Sequence, residues 1–423
     1  MSFVNDSIQG RFAHAPISER IERGALLALA FVLPLYEAPK NLLWIALIAL
    51  WLANRWRARD FGGRWDGWDT LIALWIVSGY AVAAFAGIRD EEWLAASDIV
   101  RYASVLWILK RSRYPDRTWI AALVAIVAGT AVGLAWGYYG VLVTKQHSGL
   151  GLHSVGHVNH SAIYLAIVFG AALAATQAWW RVADPVRRAL GLALLVFFGV
   201  SLMWMESRAA VGAAFFMALV LLFIHAVQQG RKLRTIVAVA AVAVGAAFLL
   251  NPQVLEKNAQ FLKKGDLLNG RDLIWRVGIT AWSEFPLFGV GMDNFDRINY
   301  KDLETWSAKR GEPFDRKSVS LAPHGHSLYV NSLAERGLLG LGSLLAILAA
   351  WAVALARRVP DANAPPLHWA CWGSAGAAWI ITIVAGALNT TLHHEQALLC
   401  MLLLGGWLSL SRSSGQPLRA EAA

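Results

Sequence analysis

The chain has little charge, almost no cysteine and no concentration of acid. Its two cysteines, Cys371 and Cys400, each sit inside an apolar run and read as buried thiols, which excludes a disulfide framework. Charged residues make up 16% of the 423, well below the roughly 25% of a soluble globular protein. Asp and Glu number 28 against 38 Lys and Arg, a net charge of +10, and no carboxylate cluster suggests a bound divalent ion. The basic residues fall in short clusters between apolar spans, which is orientation information rather than a stripe for nucleic acid. There is no internal repeat and no low-complexity tract. The first apolar run has no small-residue cleavage site and many more follow it, so no cleavable signal peptide is expected.

What is abundant is apolar length. Hydrophobic residues make up 57% of the chain, in runs too long and too numerous for soluble core helices. In lipid every backbone polar group needs an internal partner, so such runs read as an all-α, polytopic membrane protein. Twenty-one tryptophans agree with this, because Trp gathers at membrane interfaces. About twelve spans are expected. They cover residues 20–37, 40–54, 68–88, 92–109, 118–143, 158–180, 188–205, 208–227, 233–250, 328–356, 367–388 and 393–411. Pro34, Glu37 and Pro39 make the first two a bent pair. Asp98 and Arg101 weaken the fourth, but at i, i+3 they are placed to neutralise each other.

Positive charge alternates between loops. One set carries Arg55, Arg57, Arg59, Arg64, then Lys110, Arg111, Arg113, Arg117, then Arg181, Arg187, Arg188, then Arg231, Lys232, Arg234, then Arg357 and Arg358. The other set of short loops has only Lys40, Arg89, Lys145 and Arg208. This bias places both termini in the cytoplasm and the segment 251–327 on the opposite face. The expected organisation is a cytoplasmic N-terminus with spans one to nine (1–250), the large loop (251–327), spans ten to twelve (328–411) and a cytoplasmic tail (412–423).

The loop, about 75 residues long, exceeds what a connector needs and is expected to be functional. Within it Asn269 reads as an N-cap with Asp272 at N3, and Ile274, Val277, Ala281 and Phe285 form one apolar face that ends at Pro286. Such an amphipathic helix suits the membrane surface. A Gly-punctuated turn, Pro286 to Phe295, follows it. The loop closes on Pro323-His324-Gly325-His326-Ser327, and the next helix carries Ser327, Asn331 and Glu335 on one stripe, with Gly337 and Gly340 beyond them as a smooth packing face.

His326 is the first candidate for chemistry: an imidazole near lipid is a general base suited to a lipid-borne substrate. The alternative is an interfacial histidine that only hydrogen-bonds its neighbours. His324 is the local rival, and a helix beginning near 326 points the two in different directions. Arg271, in the first turn of the loop helix, joins a guanidinium fork to a helix N-terminus that favours anions; the other reading is a solvated loop arginine. Arg276 is a second candidate there. Arg208, between two apolar spans, needs a dedicated partner, either Glu206 or an anionic ligand. His147, His153, His157 and His160 fit no standard zinc spacing and read as a polar loop entering the sixth span. His393, His394 and Glu395 read in the same way, with a possible place lining an outer cavity.

These pieces resemble the O-antigen ligase and polymerase superfamily. His326-Ser327, nine residues and then Gly337-x-x-Gly340 match its histidine motif. Ser207-Arg208 after a mid-chain span, Gly270-Arg271 to Trp275, and the Pro286 to Gly291 turn resemble its other motifs. Gly156-His157-Val158-Asn159 resembles its Gly/Asn segment at the start of a span, which adds Asn159 to Arg208, Arg271 and His324 as expected substrate-binding residues. The resemblance implies a lipid-carrier glycosyltransferase of GT-C-like architecture in a bacterial inner membrane, with a periplasmic active site. It implies glycan transfer from undecaprenyl pyrophosphate to an acceptor, without nucleotide sugar, metal or other cofactor. Twelve spans, one large loop before span ten and no extra domain favour the ligase, whose acceptor is the lipid A–core of lipopolysaccharide, over the polymerase. From another class, a transporter or flippase of polyprenyl-linked glycans would carry broken helices and ionisable groups near the bilayer midplane.

Overall fold

The computed structural model describes residues 16–89, 92–145, 149–230 and 268–413. The expected span 233–250, His147, the cluster Arg231, Lys232 and Arg234, and residues 251–267 of the loop lie outside the described residues. Among the described residues there are thirteen α-helices and no strand. They are α1 (Ile17–Val32), α2 (Glu37–Ala58), α3 (Gly67–Phe85), α4 (Glu92–Arg111) and α5 (Asp116–Tyr138), which a π-helical turn extends over Tyr139–Val143. Then come α6 (Val158–Trp179), α7 (Pro185–Trp204), α8 (Arg208–Gln228), α9 (Arg271–Glu284), α10 (Tyr300–Lys309), α11 (Leu328–Arg357), α12 (Pro366–Gly386) and α13 (His394–Ser413).

Helices stand at eleven of the twelve expected spans. Seven helices among the described residues are long and apolar enough to cross a membrane: α3, α5 with its π turn, α6, α7, α8, α11 and α12. Helix α1 has only 16 residues, and α2 and α4 carry charged residues at both ends. The polytopic all-helical class therefore stands.

Helices α6 and α12 form the centre of the bundle, with 72% and 83% of their apolar windows buried, whereas α7, at 17%, lies on the rim. Small residues let the central pair approach: a Cβ on Gly373 would lie 2.6 Å from the Cβ of Ala174, and one on Gly170 would lie 2.4 Å from that of Ala377. With no hydrophobic drive between helices in lipid, such close van der Waals contact is what holds helices together. On α7 the exposed Val186, Leu190, Val196 and Val200 present an apolar face outward.

Charges tie the two ends of the bundle. At one end Asp69 on α3 accepts from Arg111 Nε and NH2 (3.0 and 2.8 Å) and pairs with Lys110 at 2.6 Å, all nearly buried. Part of the basic set expected to orient the chain is thus also structural. At the other end, which we call the loop end, Lys40 in the first turn of α2 bonds Glu395 on α13, and Ser154 bonds the same carboxylate at 3.1 Å. Asp98 and Arg101 pair at 3.0 Å, as their i, i+3 spacing predicts.

The loop segment has a small core of its own. Val277 and Ala281 of α9 are fully buried against Val290, Phe295, Leu303 and Trp306, with Ile274 and Phe285 packed alongside. The apolar face read from the sequence is therefore real, but it is covered by α10, the following turn and α11 rather than by a lipid surface. The expected cap is also displaced. Asn269 and Gly270 both take left-handed backbone (φ 54° and 71°), Gly270 is the N-cap, no side chain caps the helix, and Arg271 is its first residue. An Asn-Gly pair tolerates that conformation at little cost, so the turn wins over the side-chain cap.

Helix α11 is broken at Gly337 (φ 59°, ψ −160°). The Pro286 to Gly291 turn fills the break. Val290 and Gly291 donate backbone N–H groups to the carbonyls of Ala334 and Glu335 (both 2.9 Å), and Leu338 and Leu339 donate to Pro286 and Leu287 (2.9 and 3.1 Å). On its other side the same turn accepts from Gly87 and Ile88 at 3.0 and 2.9 Å. The turn is laced between the end of α3 and α11 by backbone bonds, with the Asn294 side chain bridging Ile88 and Val290. Gly337 is thus not part of a smooth helix face, and Gly340 is covered by the side chain of Arg336 from its own helix.

Candidate active site

The histidine turn is built by its neighbours. Ser327 caps α11, its hydroxyl accepting from Val330 N (3.4 Å) and donating to the Gly386 carbonyl (3.4 Å). Asn331, one turn on, accepts from Gly325 N at 2.8 Å and donates to Glu335 at 2.8 Å. The polar stripe read from the sequence is therefore the scaffold of the turn. Held this way, His326 takes a left-handed backbone (φ 44°), a conformation that costs a non-glycine residue on the order of 1–2 kcal/mol. The helix begins at Leu328, where the expected span 328–356 starts, rather than near 326, and the two rings do not diverge: their centroids lie 4.2 Å apart.

The rings differ in what surrounds them. His324 Nδ1 lies 3.2 Å from the Thr390 hydroxyl and accepts from His326 N at 3.4 Å. Its ring is 6.1 Å from that of His160 on α6. His326 instead feels the charge of Arg271, which acts on it along with His324, His157 and His160. Burial, then His324 and then Arg271 push the His326 imidazole down to about 4 from its ordinary value of 6.5. Burial and His157 lower His324 as well. Each stays neutral at physiological pH, the form in which imidazole accepts a proton.

Arg271 is oriented by backbone carbonyls: its Nε donates to Leu388 at 2.9 Å and NH1 to Leu268 at 3.2 Å. A guanidinium has five N–H donors, of which these bonds use two. Burial and then the nearby charge of Arg208 lower its affinity for its proton. Arg208 is the first residue of α8, after Glu206 with left-handed backbone (φ 52°) and the buried Ser207. The fold thus brings two guanidinium groups, 63 positions apart, to the same end of the bundle as His326. Two like charges held together and partly desolvated suit an anion of more than one charge.

Asn159 is the second residue of α6, half-buried beside His160, and its backbone N donates to His157 Nδ1 at 3.2 Å. It belongs to the same end but has no recorded side-chain bond to the histidine turn. Arg276 is exposed on α9, away from its buried side. His153 is exposed and packs edge-on against Tyr36. Among the described residues no group of three or more His, Cys, Asp or Glu is arranged to hold a metal ion.

Sequence reading missed Thr390 as a partner of His324, and missed that His160 and His393 meet, with ring centroids 6.0 Å apart. The signal present was imidazoles at the starts of three separate helices on one face. Nothing in the sequence pairs them.

Residues 193–345 match the family model described as O-antigen ligase. That stretch runs from α7 to the second half of α11 and contains Arg208, Arg271, His324 and His326. No curated protein matches the chain. The matched stretch, about a third of the chain, is similar to the O-antigen ligase/polymerase superfamily, whose activity is of glycosyltransferase type on lipid-linked glycans and lipid-anchored acceptors.

Proposed function

We propose that the chain is an O-antigen ligase of the bacterial inner membrane, with the loop end facing the periplasm and both termini in the cytoplasm. It transfers glycan from undecaprenyl pyrophosphate to the lipid A–core of lipopolysaccharide. The observation that carries this reading is the convergence of His326 with Arg271 and Arg208, near enough for each charge to act on the next.

In the reaction His326 takes the proton of an acceptor hydroxyl as that oxygen attacks the anomeric carbon. The bond from that carbon to the pyrophosphate oxygen breaks, and the lipid pyrophosphate leaves with the electron pair. Arg208 and Arg271 hold the charge that grows on it, a kind of stabilisation worth about 2.7–4 kcal/mol per donor in other enzymes. Pyrophosphate is a good leaving group and needs no separate acid. A single displacement inverts the sugar. His324 and Asn159 flank the acceptor side.

The test is reconstitution of the purified protein with lipid-linked glycan and rough lipopolysaccharide. Transfer to lipopolysaccharide is expected, and His326→Ala should lower it about 10²–10⁴-fold with the protein still inserted. Near-normal transfer by that variant removes His326 as the base. Arg208→Ala and Arg271→Ala should each weaken use of the lipid pyrophosphate donor, and undiminished use excludes the anion role. Growth of the glycan on its carrier, with none reaching lipopolysaccharide, would make the chain a polymerase. A single long segment before α11 favours the ligase. Movement of the donor across vesicles without transfer would make it a flippase, a reading disfavoured by the gathering of these groups at one end of the bundle.

A further inference from the structure

Beyond His326 and His324, four more imidazoles lie at the loop end, and the mechanism above uses none of them. The six form a branched row. Centroid separations are 4.2 Å from His326 to His324 and 6.1 Å from His324 to His160. At His160 the row forks, to His157 at 6.3 Å and to His393 at 6.0 Å, and His393 meets His394 edge-on at 3.7 Å. The rings come from the start of α6, the turn before α11 and the start of α13, and His160 is where the three meet. Its place is fixed by the backbone: Gln396 Nε2 on α13 donates to its carbonyl at 3.0 Å.

The row has a direction. Arg271 acts on His326 at one end, so a positive charge left on that ring is opposed by a guanidinium, with Arg208 behind it. The titratable groups that face His160 are His157 at the cap of its helix, His324 and His326 from the loop, His393 from the turn before α13 and His394 at the start of α13. Those that face His324 and His393 include His157, His394 and Arg101. His157, next along the row, is exposed. Imidazole accepts on one nitrogen and donates from the other, so each ring can pass on a proton directly or through one bridging water.

We propose that His160 relays the proton that His326 takes from the acceptor hydroxyl. The proton moves from His326 to His324, from His324 to His160, and leaves to solvent through His157. Each imidazole is returned neutral and no other bond changes. With donor and acceptor bound, the open side of His326 faces substrate, and the row supplies the exit. His160 is a positioning residue that acts through His324. The proposal rests on the transferase reading above, because His326 is its entry point.

The test uses His160→Phe and His160→Gln in the full-length protein, in the reconstituted assay, with His326→Ala alongside. A fall in kcat of about tenfold or more near neutral pH is expected, less than the 10²–10⁴-fold of losing the base itself. The KM for either substrate should not move, and millimolar imidazole should restore turnover in the variants without stimulating the parent protein. Unchanged kcat overturns the relay. So does a loss that imidazole does not rescue, or one expressed in KM, since either marks a structural role. Absence of transfer by the parent protein overturns the transferase reading instead, whereas full transfer by His326→Ala removes His326 as the base and the relay's entry point with it. Independently of activity, histidine titrations followed by NMR should show His160→Gln moving the His324 midpoint, and an unmoved midpoint refutes the path.

Discussion

At the scale of single residues, the site is a compromise between a strained backbone and a tuned ring. His326 is held in left-handed conformation by the cap at Ser327 and the Asn331 side chain, and burial keeps its imidazole neutral down to about pH 4. A base is competent in its neutral form, so transfer should stay level from pH 7 to about pH 5 and fall through about pH 4. A pH–rate profile checks this, and an acidic limb centred near 6.5, the value of an unperturbed histidine, would contradict it. Linkage has the same sign. The unfolded chain binds a proton at this position below pH 6.5 and the folded chain only near 4, so acid between those values weakens the fold. The sequence pointed to His326, Arg208 and Arg271 by residue type, setting and family motif. It put His326 ahead of His324 without a physical ground for the choice, because their difference lies in what surrounds each ring.

At the scale of elements, the decisive feature is the break in α11. Gly337 has backbone angles at the edge of a region open essentially to glycine alone, and a Cβ there would lie 2.4 Å from the backbone of Leu287. Strain of that kind costs on the order of 1–3 kcal/mol before the overlap is counted. Gly337→Ala should therefore lower the thermal stability of the detergent-solubilised protein by several degrees, with the loop end the first part to open. Gly342→Ala, on the same helix with nothing within 4 Å, should be near neutral or stabilising. Equal melting temperatures for the two variants would mean that the break is not required. Sequence reading found Gly337, Gly340 and the Pro286 to Gly291 turn as separate motifs. Their mutual lacing joins residues about fifty positions apart, and no local preference encodes it. The apolar face of α9 was legible for the converse reason: its 3.6-residue period is local, while what covers it is not.

At the scale of the whole molecule, orientation is the open quantity with the clearest consequence. In the proposed orientation, which rests on the charge bias between loops, the loop end lies outside the cytoplasm. A cysteine introduced at exposed Lys301 on α10 should react with a membrane-impermeant thiol reagent in intact spheroplasts, and one at exposed Arg113 should react only after lysis. Cys371 and Cys400 are buried and should contribute no background. The opposite labelling pattern would turn the protein over and end the periplasmic reading.

By itself the sequence determined the class, because apolar length and backbone hydrogen bonding leave helices as the solution in lipid for runs such as these. It also set the orientation expected from charge and the short-range helix and turn signals. Only the tertiary structure decided which histidine meets the arginines, that α11 breaks to take in a distant turn, and that rings from three helix starts form a row. Those contacts depend on how helices pack against one another, and packing joins residues whose separation in the chain carries no periodic or compositional trace.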